Sequence, residues 1–268
     1  MATKHKQLSI DDLWDPSATI NRQLGKHNIS FRQIAPSISF VTKIYRYIKI
    51  EYLFDLIDRK RLYIPNRNSF TDLRDKIGIE KRFEPLALQL ESVPSRRCRK
   101  DAQGFKELKR LTFNICVSCW TLDSRRNSGC YESFLMWKAY RHNGDMCRIG
   151  TTIGHLIDSI ESIPCDVAIS DVSYDKRNAY VCDRLIFNKQ LYYEDEQELR
   201  IAALSHKDLF IDLPIDPYIL LDEITLSPFL IPRVENMYKS MLEKTYPKLK
   251  NASSATHSRQ RISYGKHT

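Results

Sequence analysis

Glycine is scarce in this chain, with 8 residues among 268. Neither a GxGxxG nor a GxxxxGK[ST] motif occurs. Both motifs need glycines where the backbone closely approaches a phosphate, so the sequence argues against Rossmann and P-loop nucleotide binding. A G-x-S-x-G nucleophile motif and an HExxH metal motif are also missing from the sequence. These absences argue against α/β-hydrolase and zincin chemistry.

Long apolar runs are missing as well. The longest fall far short of the roughly 18–20 residues that a membrane-spanning helix needs. The first thirty residues mix His, Lys, Asp and Asn without an apolar core run, which does not fit a secretory signal. The seven cysteines are odd in number and irregularly spaced, a pattern that favours reduced thiols. We therefore expect a soluble cytoplasmic protein that binds no membrane.

A single CxxC pair, Cys116 and Cys119, is present without a second pair or an HxxxH partner. A structural zinc site needs four ligands, and residues three apart on a strand point to opposite faces. A zinc site remains the minor alternative, and we expect buried thiols and no bound metal.

The charge balance is basic, with 42 Lys and Arg against 33 Asp and Glu and a net charge of +9. The excess is uneven, because the segment after Pro247 carries lysines and arginines and no acidic residue. That segment has too little apolar surface to offset the entropy cost of ordering. We expect an N-terminal extension over residues 1–30, one domain over residues 31–246, and a basic disordered tail over residues 247–268.

A second basic stretch precedes the middle of the chain, and it includes Arg96, Arg97, Arg99 and Lys100. One interpretation is a solvated surface. The other is a binding site for a polyanion such as RNA, because clustered Lys and Arg gain affinity by releasing phosphate counterions. Charge alone does not choose between the two interpretations.

The pattern of apolar residues predicts an α+β fold with a compact mixed or antiparallel sheet and few helices. A strand–helix–strand unit is expected first, followed by short strands and helices, and finally an amphipathic helix that begins near Pro232. The predicted strands cover residues 38–48, 62–64, 111–120, 146–152 and 166–174 and a segment that starts at 199; the predicted helices cover residues 50–60, 131–142 and 232–246.

An acidic segment before the late strand carries Glu196, Glu198 and Arg200. On a strand these three residues would share one face. Arg200 could then hold one carboxylate while the other is left to act as an acid or base. The alternative is a solvated acidic turn, which such a composition also fits.

A series of short motifs occurs in a fixed order over about residues 40–230: Tyr45-Arg46-Tyr47, the turn 68–72, Cys116-Val-Ser118, Met136-Trp137-Lys-Ala-Tyr140, Gly144 and Glu194 to Arg200. This series resembles a bacterial domain family of unknown function with a YRY, fND, CFS, MWxxY, G and ExExR order. The chain departs from that family at the turn, where Thr71-Asp72-Leu73 replaces the usual Asn-Asp-Pro.

The same order resembles, more distantly, the ADP-ribosyltransferase fold. That resemblance implies NAD as the donor substrate and an ADP-ribosyltransferase-like arrangement of the sheet. It matches Arg46 to a first-strand arginine, Ser118 to a middle-strand serine, and Glu196 and Glu198 to a late-strand [Q/E]-x-E motif. Together with nearby aromatic residues, the implied NAD-binding set is Arg46, Tyr47, Ser118, Trp120 and Tyr140. For each aromatic residue, packing in the core is the alternative.

The implied chemistry assigns the two glutamates different roles. Cleavage of the bond between nicotinamide and ribose builds positive charge on the sugar, as other glycosidic cleavages do. Glu198 would hold the ribose 2′-hydroxyl and stabilise that charge, and Glu196 would orient or deprotonate the acceptor. Because nicotinamide leaves without an added proton, no metal is expected.

The leading hypothesis is an NAD-dependent ADP-ribosyltransferase that acts as an antiphage or toxin–antitoxin effector on RNA or another nucleic acid, with an antitoxin protein as a further partner. The first alternative is an RNA-binding module without catalysis. The second is a metal-dependent nuclease in which Glu194, Glu196 and Glu198 bind Mg²⁺.

Overall fold

The computed structural model describes residues 20–23, 29–32, 39–69, 115–122, 134–140, 144–162, 167–174, 187, 189, 191–205 and 210–249. Over these residues the fold is α+β, with a mostly antiparallel sheet and few helices. The predicted fold class is therefore confirmed at this level. None of the helices in the described part of the chain is long and apolar enough to cross a bilayer.

The ten described strands are β1 (Ile20–Gln23), β2 (Ile29–Arg32), β3 (Lys43–Lys49), β4 (Arg61–Pro65), β5 (Ile115–Leu122), β6 (Met146–Thr152), β7 (Val167–Asp171), β8 (Glu198–Leu204), β9 (Phe210–Pro214) and β10 (Glu223–Leu226). The described α-helices are α1 (Ile50–Arg59), α2 (Phe134–Tyr140), α3 (Ile153–Ser159), α4 (Pro217–Leu220) and α5 (Pro232–Thr245). Three 3₁₀ helices cover Arg67–Ser69, Leu191–Glu196 and Pro247–Leu249.

The chain divides into two compact units, each assembled from three stretches of sequence. The first unit consists of Met1–Ser37, Tyr63–Cys119 and Ile163–Leu213. The second consists of Ile38–Leu62, Trp120–Ser162 and Pro214–Thr268. The domain boundaries predicted after residues 30 and 246 stay predictions.

The first unit holds the strands β1, β2, β7 and β8 in that order, followed by the first part of β5. The β2–β7 pair is parallel, whereas β7 and β8 are antiparallel with Ser170 opposite Arg200. Every residue of β8 is buried, because this strand has a neighbour on each side and is covered on both faces. Strand β8 therefore carries its charged side chains into the core.

The second unit is organised around β3, which pairs antiparallel with the last part of β5 and with β6. Strand β10 pairs with the other side of β6. The ring of Tyr45 on β3 packs against Gly150 on β6, and a Cβ at that glycine would lie 2.8 Å from the ring. The glycine is needed here because the tyrosine ring occupies the space that a side chain would fill.

Helix α1 follows β3 directly and confirms the predicted strand–helix–strand unit. Its apolar residues recur at helical spacing, and Ile50, Leu53, Leu56 and Ile57 are buried. The helix ends at Lys60, whose left-handed backbone (φ 52°) lets its N–H donate to the carbonyl of Leu56.

Helix α5 confirms the predicted C-terminal helix and packs on α1. Phe54 of α1 contacts the rings of Tyr238 and Tyr246, and the Tyr246 hydroxyl donates to Asp58 at 2.7 Å. The 3₁₀ helix Pro247–Leu249 follows α5, and Leu249 at its end is buried. The remainder of the predicted tail, residues 250–268, and residues 1–19 of the predicted extension lie outside the described residues.

Candidate functional site

Two oppositely charged side chains lie buried on β8 of the first unit. Glu198 and Arg200 are two residues apart, so strand geometry sends both side chains to the same face. The Arg200 Nε donates to Glu198 Oε1 at 2.6 Å, and Nη2 lies 3.4 Å from Oε2. The arginine thereby neutralises a carboxylate that has almost no contact with solvent.

Lys189 joins this pair to Glu196. Its Nζ lies 2.6 Å from Glu196 Oε2 and 2.9 Å from Glu198 Oε2. The Lys189 side chain is itself largely buried, and its ammonium also lies 4.6 Å from the centre of the Tyr193 ring. One ammonium therefore holds both carboxylates of the E-x-E motif. We name these four residues, Lys189, Glu196, Glu198 and Arg200, the carboxylate cluster.

The two glutamates come together by a different route from the one that the sequence predicted. Glu196 does not lie on the strand; it is the last residue of the 3₁₀ helix Leu191–Glu196. The next residue, Gln197, has a left-handed backbone (φ 42°), and its N–H and side chain both donate to the carbonyl of Glu194. Because of this turn, Glu196 does not continue the extended backbone of β8. The prediction of one strand face for Glu196, Glu198 and Arg200 is therefore wrong for Glu196.

Exposure separates the two glutamates. The Glu196 side chain is 29% exposed, whereas that of Glu198 is 3% exposed. Glu196 is therefore the member of the pair that faces solvent, and a molecule approaching from solvent meets Glu196 and Lys189 before Glu198.

Two further polar side chains contact Glu198. Its backbone N–H donates to the hydroxyl of Tyr174 at 2.9 Å, and the Cys119 thiol hydrogen-bonds its carboxylate. Strand β5 thus presents Cys119 to Glu198, and strand alternation directs the buried Ser118 to the opposite face of β5. The resemblance implies that Ser118 hydrogen-bonds Glu198 or a bound ribose, and this role stays a prediction.

The electrostatic surroundings shift the pKa values of the two carboxyl groups in opposite directions. Burial alone would raise the pKa of Glu198, but the charges of Arg200 and Lys189, together with hydrogen bonds from Arg200 and Cys119, lower this pKa to about 2. Burial raises the pKa of Glu196 above its ordinary value, against the attraction of Lys189 and with the added repulsion of Glu198. Two neighbouring carboxyl groups whose pKa values are shifted in opposite directions are typical of sites that perform acid–base chemistry.

The same neighbours act on Cys119 and Tyr174. Burial raises the pKa of the Cys119 thiol, and the Glu198 charge raises it further. Burial likewise raises the pKa of Tyr174, again with help from Glu198. Both groups stay protonated at neutral pH and can serve as hydrogen-bond donors or acceptors beside Glu198.

The buried Glu198 carboxylate predicts a pH dependence of stability. Because its folded pKa lies below the ordinary value of 4.5, its stabilisation is present above that value and is lost as the pH falls through the folded pKa of about 2. The whole effect is about 3 kcal/mol, of which about 2 kcal/mol falls between pH 5 and pH 3. Urea unfolding followed by circular dichroism should show this extra loss in wild type relative to Glu198→Gln.

The exposed Glu194 provides the matched control for this measurement. Glu194→Gln should follow the wild-type dependence between pH 5 and pH 3. Glu196 contributes with the opposite sign, since a raised folded pKa costs stability as the pH rises. Glu198→Gln weakens this contribution because it removes the repulsion that helps to raise the pKa of Glu196, and this partly offsets the difference between wild type and Glu198→Gln. Parallel curves for wild type and Glu198→Gln would contradict the assigned electrostatic role of the cluster.

The remaining predicted NAD-binding residues lie in the second unit. The guanidinium of Arg46 is 5.9 Å from the centre of the Trp120 ring, within cation–π range, and Trp120 is buried. Tyr47 and Tyr140 have nearly parallel rings, 6.3 Å apart between centres. Tyr47 is 7% exposed and Tyr140 36% exposed, so Tyr140 presents the accessible ring of this pair. Their roles in binding NAD stay predictions.

Several other predicted features lie outside the described residues. These are Arg96, Arg97, Arg99 and Lys100 of the basic stretch, and the turn Thr71-Asp72-Leu73. The proposed polyanion-binding role of the basic stretch therefore rests on the sequence.

Sequence reasoning missed Lys189, Tyr174 and Cys119 as neighbours of Glu198. No local pattern marks Lys189, because it stands in irregular chain ahead of the 3₁₀ helix and reaches the glutamates only through the fold. For Cys119 the sequence predicts a buried thiol, with a zinc ligand as the minor alternative, and neither interpretation places it beside Glu198. Its position next to Ser118 on a buried strand was the available signal for a role beside the late strand.

The described residues hold no group of three or more His, Cys, Asp and Glu side chains arranged to bind a metal ion. No family model, curated protein or solved structure matches the chain.

Proposed function

We propose that the carboxylate cluster is the catalytic centre of an NAD-dependent ADP-ribosyltransferase, and that the α+β sheet has the finer arrangement of that fold. The proposal extends to a cytoplasmic antiphage or toxin–antitoxin effector with a nucleic-acid acceptor, most simply RNA. It also includes membership of the bacterial domain family whose motif series the chain resembles.

The observation that carries the proposal is the contrast between Glu198 and Glu196 around one lysine. Glu198 is buried and stays ionised because Arg200 and Lys189 face it. Glu196 lies at the solvent side of the same cluster and has a raised pKa. An ionised carboxylate beside a second, more basic carboxyl group suits a reaction that develops positive charge and then needs a base.

The reaction would use the two groups in sequence. The bond between nicotinamide N1 and ribose C1′ breaks, and its electron pair leaves with neutral nicotinamide. Glu198 stabilises the positive charge that develops on the ribose, more strongly in the transition state than in bound NAD. An acceptor oxygen or nitrogen then bonds to C1′, and the proton that it releases passes to Glu196.

The buried position of Glu198 suits the charge that it has to stabilise. An electrostatic interaction is stronger where water is excluded, so a carboxylate with little solvent contact acts more strongly on a nearby cation. The hydroxyl of Tyr174 accepts from the backbone N–H of Glu198, and the thiol of Cys119 hydrogen-bonds the Glu198 carboxylate without neutralising its charge. These contacts support preorganisation of Glu198 before substrate binds.

The cluster is less suited to the alternative of a metal-dependent nuclease. Lys189 Nζ lies within hydrogen-bond distance of both carboxylates, where a Mg²⁺ ion shared by them would have to lie. A bound divalent cation would have to displace this ammonium. The arrangement therefore favours chemistry at carbon over metal-assisted phosphodiester cleavage.

Glu196→Gln separates the two halves of the proposed reaction. Transfer of the ADP-ribosyl group to RNA is expected to fall by about 10²-fold or more, because the acceptor loses its base. Nicotinamide release in the absence of acceptor should fall much less, since Glu198 still faces the ribose. Both rates can be followed with NAD labelled in the nicotinamide ring and, separately, in the adenosine.

Glu194→Gln provides the comparison, because it removes an exposed charge two residues earlier. The proposed reaction gives Glu194 no role, so Glu194→Gln should leave the rates of nicotinamide release and transfer unchanged. The nuclease alternative predicts instead that Glu194→Gln loses EDTA-sensitive RNA cleavage. If Glu196→Gln lowers release and transfer equally, Glu196 is not the acceptor's base.

A further inference from the structure

Lys189 lies in the carboxylate cluster but outside the motif series that suggested the function. Its ammonium is the group that joins Glu196 to the rest of the cluster, at 2.6 Å. The Lys189 side chain is 9% exposed, which is unusual for lysine and normally requires a partner. The backbone N–H of Lys189 donates to the carbonyl of Ser173, which anchors the lysine beside the end of β7.

We infer that Lys189 is a positioning residue that keeps Glu196 deprotonated and directed toward the acceptor, an inference that rests on the proposed function. The Lys189 ammonium contacts the two carboxylates, and in the proposed reaction it does not contact a reacting atom. It acts through Glu196, whose contact with Lys189 is shorter than that of Glu198.

The groups around Glu196 explain why this lysine is needed. Lys189 precedes the 3₁₀ helix, Glu198 and Arg200 lie on β8, and Tyr174 follows β7. Glu198 repels a charge on Glu196, and Arg200, which donates to both carboxylate oxygens of Glu198, attracts that charge more weakly than Lys189 does. The Lys189 ammonium donates a hydrogen bond directly to Glu196 Oε2.

Removal of the ammonium leaves two carboxyl groups close together in a partly buried site. Like charges at this separation favour protonation of one of the two groups. Glu198 keeps Arg200, so the proton would go to Glu196. A protonated Glu196 cannot accept the acceptor's proton, and transfer would be lost at acidic pH first.

The test compares wild type, Lys189→Met and Lys189→Arg across pH, with Lys239→Met as the control. Lys239 also pairs with a glutamate at 2.6 Å, but on the surface of α5. In Lys189→Met, transfer at acidic pH should fall by about tenfold or more and recover toward the wild-type rate as the pH rises. Lys189→Arg should restore most of the acidic activity, since it returns a cation to the site. Lys239→Met should match wild type at every pH.

A second readout needs no NAD. In protein labelled with ¹³C at glutamate carboxyl carbons, the Glu196 resonance, assigned by its loss in Glu196→Gln, should titrate at higher pH in Lys189→Met than in wild type. An unchanged Glu196 titration in a folded Lys189→Met protein would overturn the role of Lys189. If the wild type releases no nicotinamide, the proposed function fails, and the titration still decides whether Lys189 sets the protonation of Glu196.

The conservative variant Lys189→Arg distinguishes a loss of folding from a loss of the positioning role. If Lys189→Met loses its circular dichroism signal while Lys189→Arg keeps it, the carboxyl titration and the pH profile of transfer are measured on Lys189→Arg. Transfer in folded Lys189→Arg that is lost equally at all pH values would overturn the inference, because a cation is still present there.

Discussion

Replacement of Glu198 by Gln is expected to lower the rate of nicotinamide release from NAD by about 10²–10³-fold. The amide keeps the size of the side chain but removes the charge that faces the developing cation on the ribose. The effect should lie in kcat more than in KM, because the interaction is strongest in the transition state. Initial rates over a range of NAD concentrations provide both constants.

The comparison must show that Glu198→Gln is still folded, because the substitution also leaves Arg200 and Lys189 with one fewer anion. Circular dichroism and the melting temperature of the variant at pH 7 provide this control. Glu194→Gln should retain the wild-type kcat. A folded Glu198→Gln protein that releases nicotinamide at the wild-type rate would remove Glu198 from the mechanism.

Substitution of Arg200 by Met is expected to destabilise the protein by about 3 kcal/mol, the lower end of the range for breaking a buried ion pair. Arg200 is fully buried on β8, and its removal leaves the Glu198 charge with Lys189 as its remaining cation. Urea unfolding at pH 7 measures the loss. The double variant Glu198→Gln/Arg200→Met should recover part of it, since no buried carboxylate is then left without its arginine.

Arg59 provides a matched control for Arg200. It forms an ion pair with Asp55 at 2.7 Å, close to the 2.6 Å of the Arg200–Glu198 pair, but both side chains are exposed. Arg59→Met should change the free energy of unfolding by no more than about 0.5 kcal/mol. Equal effects of Arg59→Met and Arg200→Met would mean that burial does not strengthen the Glu198–Arg200 pair.

Elements with strong apolar patterns were predictable from the sequence. The β-branched and aromatic run before residue 49 became β3, and the helical spacing from Ile50 to Ile57 became α1. The helix that begins at Pro232 also follows its pattern, because proline at the first turn and apolar residues at i, i+3 and i+4 mark one helix face.

Short elements with weak patterns were not predicted. Strands β9 and β10 and helix α4, which fall between residues 210 and 226, have four or five residues each and too few positions for a periodicity to appear. The turn at Gln197 was also missed, since a left-handed backbone is uncommon for residues other than glycine and no local signal announced it.

The residue types of the candidate site were predictable from the sequence, but the contacts between its side chains were predictable only in part. The E-x-E-x-R pattern indicated that Arg200 would pair with a glutamate, and the structure shows this pair at 2.6 Å. The partner that joins the two glutamates is Lys189, and a lone lysine seven residues before Glu196 carries no motif. Such a contact depends on how the 3₁₀ helix folds the chain back, which sequence periodicity does not encode.

The contrast between the two glutamates also needed the structure. In the sequence Glu196 and Glu198 are equivalent members of one acidic run. Their different burial and neighbours lower the pKa of Glu198 and raise that of Glu196. The ionised residue therefore lies inside and the more basic one lies toward solvent, and the proposed division of roles rests on this difference.

Release of free nicotinamide from NAD is the most direct test of the proposed catalytic centre. The purified protein is incubated with NAD labelled in the nicotinamide ring, alone and with cellular RNA, DNA or protein, and free nicotinamide is separated and counted over time. The account predicts steady release that RNA accelerates and that Glu198→Gln reduces to near background. No release above background with any of these acceptors would contradict the assignment of the cluster to ADP-ribosyl transfer.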